Sequence, residues 1–206
     1  MTNYIIAGIG TEVGKTVVSA IFTEALQADY WKPVQSGYPP DSDTNTVRSL
    51  VGNERTQFHP EVYRLREPLS PHAAAALEGV VIDPARLLPP PQTDNRLLIE
   101  LAGGLMVPLT QTYLNIDLVQ RLGYPVVLVT RNYLGSINHT LLSVEALRAR
   151  NIPIAGLVIN GPSVPATESV VLSYTGLPCL LRVRDEVNLN HEVVSRYARE
   201  LDLEGI

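Results

Sequence analysis

The chain has 206 residues, 45% of them apolar and 18% charged, a globular composition that excludes a disordered or low-complexity polymer. Its formal net charge of -5 argues against a nucleic-acid partner, so any anionic ligand must be held by a few placed cations and backbone amides. The single cysteine, Cys179, excludes an internal disulfide and stands in no metal-ligand spacing.

This length predicts one domain over residues 1–206. No secretory pattern opens the sequence, and no apolar run approaches roughly 20 residues, so a cytoplasmic protein with no membrane partner is expected. In chain order, short apolar runs at Tyr4–Ala7, Tyr30–Val34, Leu97–Leu101, Val126–Thr130 and Ile154–Ile159 read as strands covered on both faces. Helical patterns at Thr16–Gln27, Asn115–Leu122, Ile137–Ala149 and His191–Leu201 fall between and after them. Residues Tyr38 to Asp94 carry two proline runs and no sustained period, and are expected to be irregular. Strand–helix alternation predicts a three-layer α/β fold: a mostly parallel central sheet, helices on both faces, and ligands at the carboxyl ends of the strands.

The strongest chemical signal is Gly8-Ile9-Gly10-Thr11-Glu12-Val13-Gly14-Lys15-Thr16, between the first strand and the first helix. Glycines let amides turn toward phosphate oxygens, and the helix N-terminus adds partial positive charge. Lys15 is expected to reach the outer phosphates and Thr16 to ligate magnesium. Five residues separate Gly8 from Gly14, one more than in the common form of the motif. A second anchor, Glu100, follows the buried run Leu97-Leu98-Ile99 and precedes the turn Leu101-Ala102-Gly103-Gly104, as a metal-binding carboxylate would. A third segment, Trp31-Lys32-Pro33-Val34-Gln35-Ser36-Gly37, offers Lys32 to stabilise charge during phosphoryl transfer. Asp41 and Asp43 follow, and either could complete the metal site. Lys15 and Lys32 are expected to serve transfer more than folding, so that Lys32→Ala would keep the native melting temperature. Ser136 reads as the N-cap of the helix that follows it.

As a set these segments resemble the dethiobiotin synthetase family of P-loop proteins. The resemblance rests on the phosphate loop with Thr11-Glu12-Val13, Lys32 to Gly37, Ser42-Asp43, Ser70-Pro71-His72, Glu100 with Ala102-Gly103-Gly104, Gly135-Ser136-Ile137-Asn138-His139, and Asn160. It implies ring closure of 7,8-diaminopelargonic acid with carbon dioxide and ATP, through a carbamate and a mixed carbamic-phosphoric anhydride, to dethiobiotin, ADP and phosphate. It implies Lys32, Lys15 and Thr11 as catalytic residues, with ATP as co-substrate and Mg2+ on Thr16, Asp43 and Glu100. Glu12, Val13, Gly14, Lys15, Thr16, Val17, Gly103 and Asn160 would hold the nucleotide, and Asp43 and Glu100 would meet it through the metal. Thr11 and Ser36 would lie near the diamine. Gly135, Ser136, Ile137 and Asn138 would hold the substrate carboxylate from the neighbouring subunit, which implies a homodimer. His72 is expected to be structural.

Two departures stand out. Leu101 replaces a glycine of the family pattern and could crowd the substrate or shift Glu100. Arg182 and Arg184 fall where that pattern has glycine and proline, which leaves the nucleotide base less specified. The alternatives are a degenerate nucleotide-binding module and a regulatory P-loop ATPase. A second lysine early in the phosphate loop, usual in the latter, is missing from Ile9-Gly10-Thr11-Glu12.

Overall fold

The computed structural model describes residues 2–202. Its central sheet contains seven parallel strands in the order β4-β2-β6-β1-β7-β8-β9. In chain order the elements are β1 (Tyr4–Gly8), α1 (Lys15–Leu26), β2 (Asp29–Trp31), β3 (Val34–Ser36), α2 (Asp43–Leu50), β4 (Phe58–His59), β5 (Tyr63–Leu65) and α3 (Pro71–Leu77). They continue with β6 (Leu97–Gly104), α4 (Asn115–Leu122), β7 (Val126–Arg131), α5 (Ser136–Arg148), β8 (Ile154–Asn160), α6 (Pro165–Thr175), β9 (Cys179–Val183) and α7 (His191–Glu200).

The apolar strands explain the layering. Successive strand side chains point to opposite faces, so a strand without polar positions must be covered on both. Ile5 and Ala7 of β1, with Leu97, Ile99 and Leu101 of β6, pack against α3, α4, α5 and α6. Tyr4 and Ile6 of β1, Tyr30 of β2 and Leu98 of β6 pack against α1, α2 and α7. Each fully buried Ile, Leu or Phe contributes about 1.5–3 kcal/mol through water release, and both clusters contain many of them.

The run predicted as one strand over Tyr30–Val34 is split. Pro33 has no N–H to give a central ladder, and β2 ends at Trp31. The Pro33 carbonyl instead accepts from the amides of Val62 and Tyr63, and β3 pairs with β5 in a separate two-stranded sheet. The third predicted strand runs on past Leu101 to Gly104, which puts Glu100 mid-strand rather than at a strand end. The segment expected to be irregular holds α2, α3, β4 and β5. Elements this short give too few turns or alternations for a period to show. α6 and β9 were also not predicted, β9 being an edge strand that pairs on one side only, with β8.

At the amino ends of the strands, the buried Asp29 carboxylate ties the sheet to its loops. It accepts from Thr93 Oγ1 at 2.6 Å, the Gln57 amide at 3.0 Å and Asn95 Nδ2 at 3.1 Å, with His59 Nε2 at 3.3 Å. Burial alone would raise its pKa, but these hydrogen bonds, led by that from Thr93, hold it below its ordinary 3.8. A carboxylate with a depressed folded pKa stabilises above its unfolded pKa and loses that contribution as pH falls through the folded value. Asp29→Asn is therefore expected to cost about 2 kcal/mol at neutral pH in urea titrations. The gap between the two proteins should close as the pH is lowered towards about 3; a gap that persists undiminished would contradict the role given to the charge.

Candidate active site

The carboxyl ends of β1, β2 and β6 open into a cleft of about 610 Å³. Gly8 ends β1, and the loop from Ile9 to Gly14 runs into α1. Gly14 holds φ 95° immediately before the helix, and a side chain there would strike the Asn160 amide. Glycine is the residue that allows both. Asn160 Nδ2 in turn donates to the Val13 carbonyl at 2.9 Å, pinning the loop to the end of β8. Lys15 Nζ folds back to donate to the Gly10 carbonyl at 3.0 Å. Burial first, then the neighbouring Lys32 charge, pulls its pKa down to about 8. The first amides of α1 lack in-helix acceptors and carry the positive end of the dipole, so an anion is favoured here.

Opposite the loop sits an ion cluster. Lys32 Nζ lies 2.8 Å from Asp43 Oδ2 and 2.9 Å from Glu100 Oε1. Thr16 Oγ1 lies 2.7 Å from Asp43 Oδ1 and 3.1 Å from Glu100 Oε1. Glu100 is 1% exposed and Lys32 is 3% exposed, so each is the other's main compensation for lost hydration. Burial lowers the Lys32 pKa, yet the Glu100 and Asp43 carboxylates outweigh it and hold the ammonium above its ordinary value. For Asp43 burial pushes upward, and Lys32 overrides it to keep the carboxyl below the usual range.

Local sequence places each group. In the register of β2 and β6, Tyr30 faces Leu98, so the two-residue period carries Lys32 and Glu100 to the same sheet face. Ser42 caps α2 by accepting from the Asn45 amide at 3.2 Å, and Gln35 Oε1 accepts from the Asp43 amide at 3.0 Å. Those two bonds aim Asp43, the first residue of α2, into the cleft. The Asp41 carboxylate instead accepts from the Ser42 amide at 2.8 Å. Beyond Glu100, Asn115 Nδ2 donates to the carbonyls of Ala102 at 2.7 Å and Gly104 at 2.9 Å, fixing the turn against the phosphate loop.

The cleft brings together Thr11, Glu12, Gly14, Lys15, Thr16, Val17, Lys32, Ser36, Asp43, Glu100 and Gly103 from the sequence expectations. Val13 is buried under the loop, and Asn160 braces it from behind. Among the described residues Ser36 Oγ, in the cleft wall, is buried without a hydrogen-bond partner. Gly135, Ser136, Ile137 and Asn138 do not line this cleft. Ser136 is not the N-cap either: Gly135 caps α5 at φ 100°, and Ser136 is its first helical residue. Leu101 neither crowds the cleft nor displaces Glu100; it points to the opposite sheet face and is buried with Ile99. His72 keeps a structural contact, 3.0 Å from Ser70 Oγ. Arg182 is paired with the buried Glu168 in a neighbouring cavity, beyond Asn160, that Arg184 also lines. Sequence reading missed Gln35, Asn115 and Tyr30, whose hydroxyl bonds Glu100. Only Tyr30 had a signal, standing two residues from Lys32 on one strand face.

The donor set fits magnesium. Two carboxylates and a hydroxyl converge as hard oxygen donors, leaving positions for phosphate oxygens and water, as that ion prefers.

A family model described as an AAA domain matches residues 2–193. The curated ATP-dependent dethiobiotin synthetase of Cytophaga hutchinsonii is 48% identical over 201 residues, covering 98% of this chain and 97% of that protein. The one from Agrobacterium fabrum is 50% identical over 168 residues, covering 82% of this chain and 79% of that protein. Among solved structures, a ParA family ATPase from Chlorobium tepidum superposes with a TM-score of 0.59 over 97% of this chain and 92% of its own. At 12% identity that likeness concerns the fold alone.

The ion cluster argues against one sequence expectation, that Lys32→Ala would leave the melting temperature unchanged. Removing the ammonium strands a buried Glu100 charge, a change expected to cost about 3 kcal/mol in the ligand-free protein. Lys32→Met with Glu100→Gln should cost much less than Lys32→Ala, because the fully buried charge at position 100 goes with its partner and the remaining carboxylate, Asp43, is partly exposed to water. Thermal melts of the three proteins check this; equal melting temperatures for Lys32→Ala and the native chain would contradict it.

Proposed function

The chain belongs to the ATP-dependent dethiobiotin synthetase family, and we propose that its residues divide that reaction according to their places in the cleft. The enzyme is a ligase that closes a cyclic urea at the expense of ATP. The observation that carries the assignment of roles is the convergence of Thr16, Lys32, Asp43 and Glu100 beside the phosphate loop.

The nucleotide phosphates lie along the loop, held by its amides, the α1 N-terminus and Lys15. Thr16, Asp43 and Glu100 hold magnesium, which when bound offsets charge on the outer phosphate oxygens. Thr11 and Ser36 face the diamine, and the unpartnered Ser36 hydroxyl supports that role. One substrate amine adds to carbon dioxide and loses a proton, giving a carbamate. A carbamate oxygen then attacks the γ-phosphorus, ADP leaves, and a mixed anhydride forms. The second amine attacks the carbamoyl carbon and expels phosphate, closing the ring. Two anionic groups meet in the second step, and Lys15 and Lys32 lower that repulsion while holding them in line.

The same reading takes residues 1–206 as one functional unit working in the cytoplasm as a homodimer. Exposed Met106, Leu134 and Leu142 support a partner copy. Met106 and Leu142 line a cavity of about 370 Å³ that reaches Gly10 and Thr11 of the loop. Gly135 to Asn138, next to Leu134, would serve the partner's cleft rather than their own. Among the described residues no helix is long and apolar enough to cross a membrane.

The test is one incubation of purified protein with diaminopelargonic acid, bicarbonate, magnesium and ATP, GTP or CTP in turn, read by mass spectrometry for dethiobiotin. Product with ATP is expected, and the relative yields report base preference in the cavity lined by Arg182 and Arg184. No product from folded protein would favour a degenerate nucleotide-binding module. Lys32→Ala is expected to abolish detectable turnover. Glu100→Gln is expected to raise the magnesium needed for half-maximal activity by about tenfold or more; an unchanged magnesium titration would remove Glu100 from the metal site.

A further inference from the structure

Glu100 has two oxygens, and they have different partners. Oε1 receives Lys32 at 2.9 Å and Thr16 at 3.1 Å, on the cleft side. Oε2 receives the Tyr30 hydroxyl at 2.9 Å, on the core side. A carboxylate on a flexible side chain can rotate about its last torsion and turn its plane away from a ligand. Here that rotation is opposed by a donor held in the packed core. Tyr30 is fully buried, and its ring packs with Ile6, Phe22, Val47 and Leu98 and lies 6.1 Å from Phe58. Its strand position sets the geometry, because Tyr30, Lys32, Leu98 and Glu100 share one face of the sheet. A phenol carries its proton at neutral pH, and a carboxylate beside it can only accept, so the hydroxyl is the donor.

We propose that Tyr30 is a positioning residue for the metal site, its hydroxyl fixing the plane of the Glu100 carboxylate so that one oxygen is aimed at the cation. The proposal rests on the reading of Glu100 as a ligand. Hydrogen bonds behind a ligating group commonly change metal affinity by about ten- to a hundredfold when removed. Tyr30→Phe deletes the hydroxyl that faces Glu100 and leaves the ring in its apolar cluster.

The test is Mn2+ binding to the protein–ADP complex, followed by electron paramagnetic resonance, in the native chain, Tyr30→Phe and Glu100→Gln. The expected result is about tenfold weaker Mn2+ binding in Tyr30→Phe, with a matching rise in the magnesium needed for half-maximal turnover and kcat at saturating magnesium within about twofold of native. Incorporating 4-aminophenylalanine at position 30 replaces the donor and should restore binding. A purely structural role would lower the melting temperature and leave Mn2+ affinity unchanged. Native affinity in Tyr30→Phe overturns the proposal, as does a loss that the restored donor fails to recover. If Glu100→Gln itself binds Mn2+ as the native chain does, the reading beneath the proposal fails instead.

Discussion

One ammonium group shared by two carboxylates organises the cleft. Glu100 is nearly without solvent, and a carboxylate so placed must have a fixed counter-charge or lose its own. Lys32 supplies it from the adjacent strand and extends the same interaction to Asp43 at the start of α2. Three separate segments thereby meet at one nitrogen atom. Thr16, from the helix that follows the phosphate loop, bonds to both carboxylates and joins the fourth segment to them.

The fold makes this meeting possible at low cost. Strands covered on both faces have no room for charge along their length, so ionic groups collect where the chain leaves the sheet. Pro33 forces that exit directly after Lys32. Glu100 is the exception, a charge within an otherwise apolar strand, and it is tolerated because Lys32, Thr16 and Tyr30 engage both its oxygens. The phosphate loop approaches from β1, the immediate neighbour of β6. Gly103 at φ 75° keeps the facing turn close to Thr11. An anion bound at the loop therefore shares one cleft with Lys15 and Lys32.

Much of this was legible in the sequence, for physical reasons that differ by segment. The phosphate loop was plain because its glycines, lysine and threonine have a single joint use at a strand-to-helix turn. Glu100 was visible as a carboxylate beside three consecutive apolar residues. Whether Asp41 or Asp43 faces the cluster was not readable, since it depends on the Ser42 cap and on Gln35. The effect of Leu101 was left open; the pleat of β6 sends its side chain to the opposite face from Glu100, into the core with Ile99. Lys32 was read as serving transfer more than folding, since burial of its partner depends on packing that the local sequence does not display. Asn115, which fixes the turn after Glu100, carries no local signature at all.

The most direct test of the assignment, in which Lys32 holds the two carboxylates only until a metal ion replaces it there, is a crystal structure with magnesium, a non-hydrolysable ATP analogue and the diamine substrate. The account predicts a cation coordinated by Thr16, Asp43 and Glu100, with Lys32 Nζ turned from the carboxylates to the γ-phosphate. A cation bound elsewhere, with Lys32 still resting on Glu100 and Asp43, would contradict it.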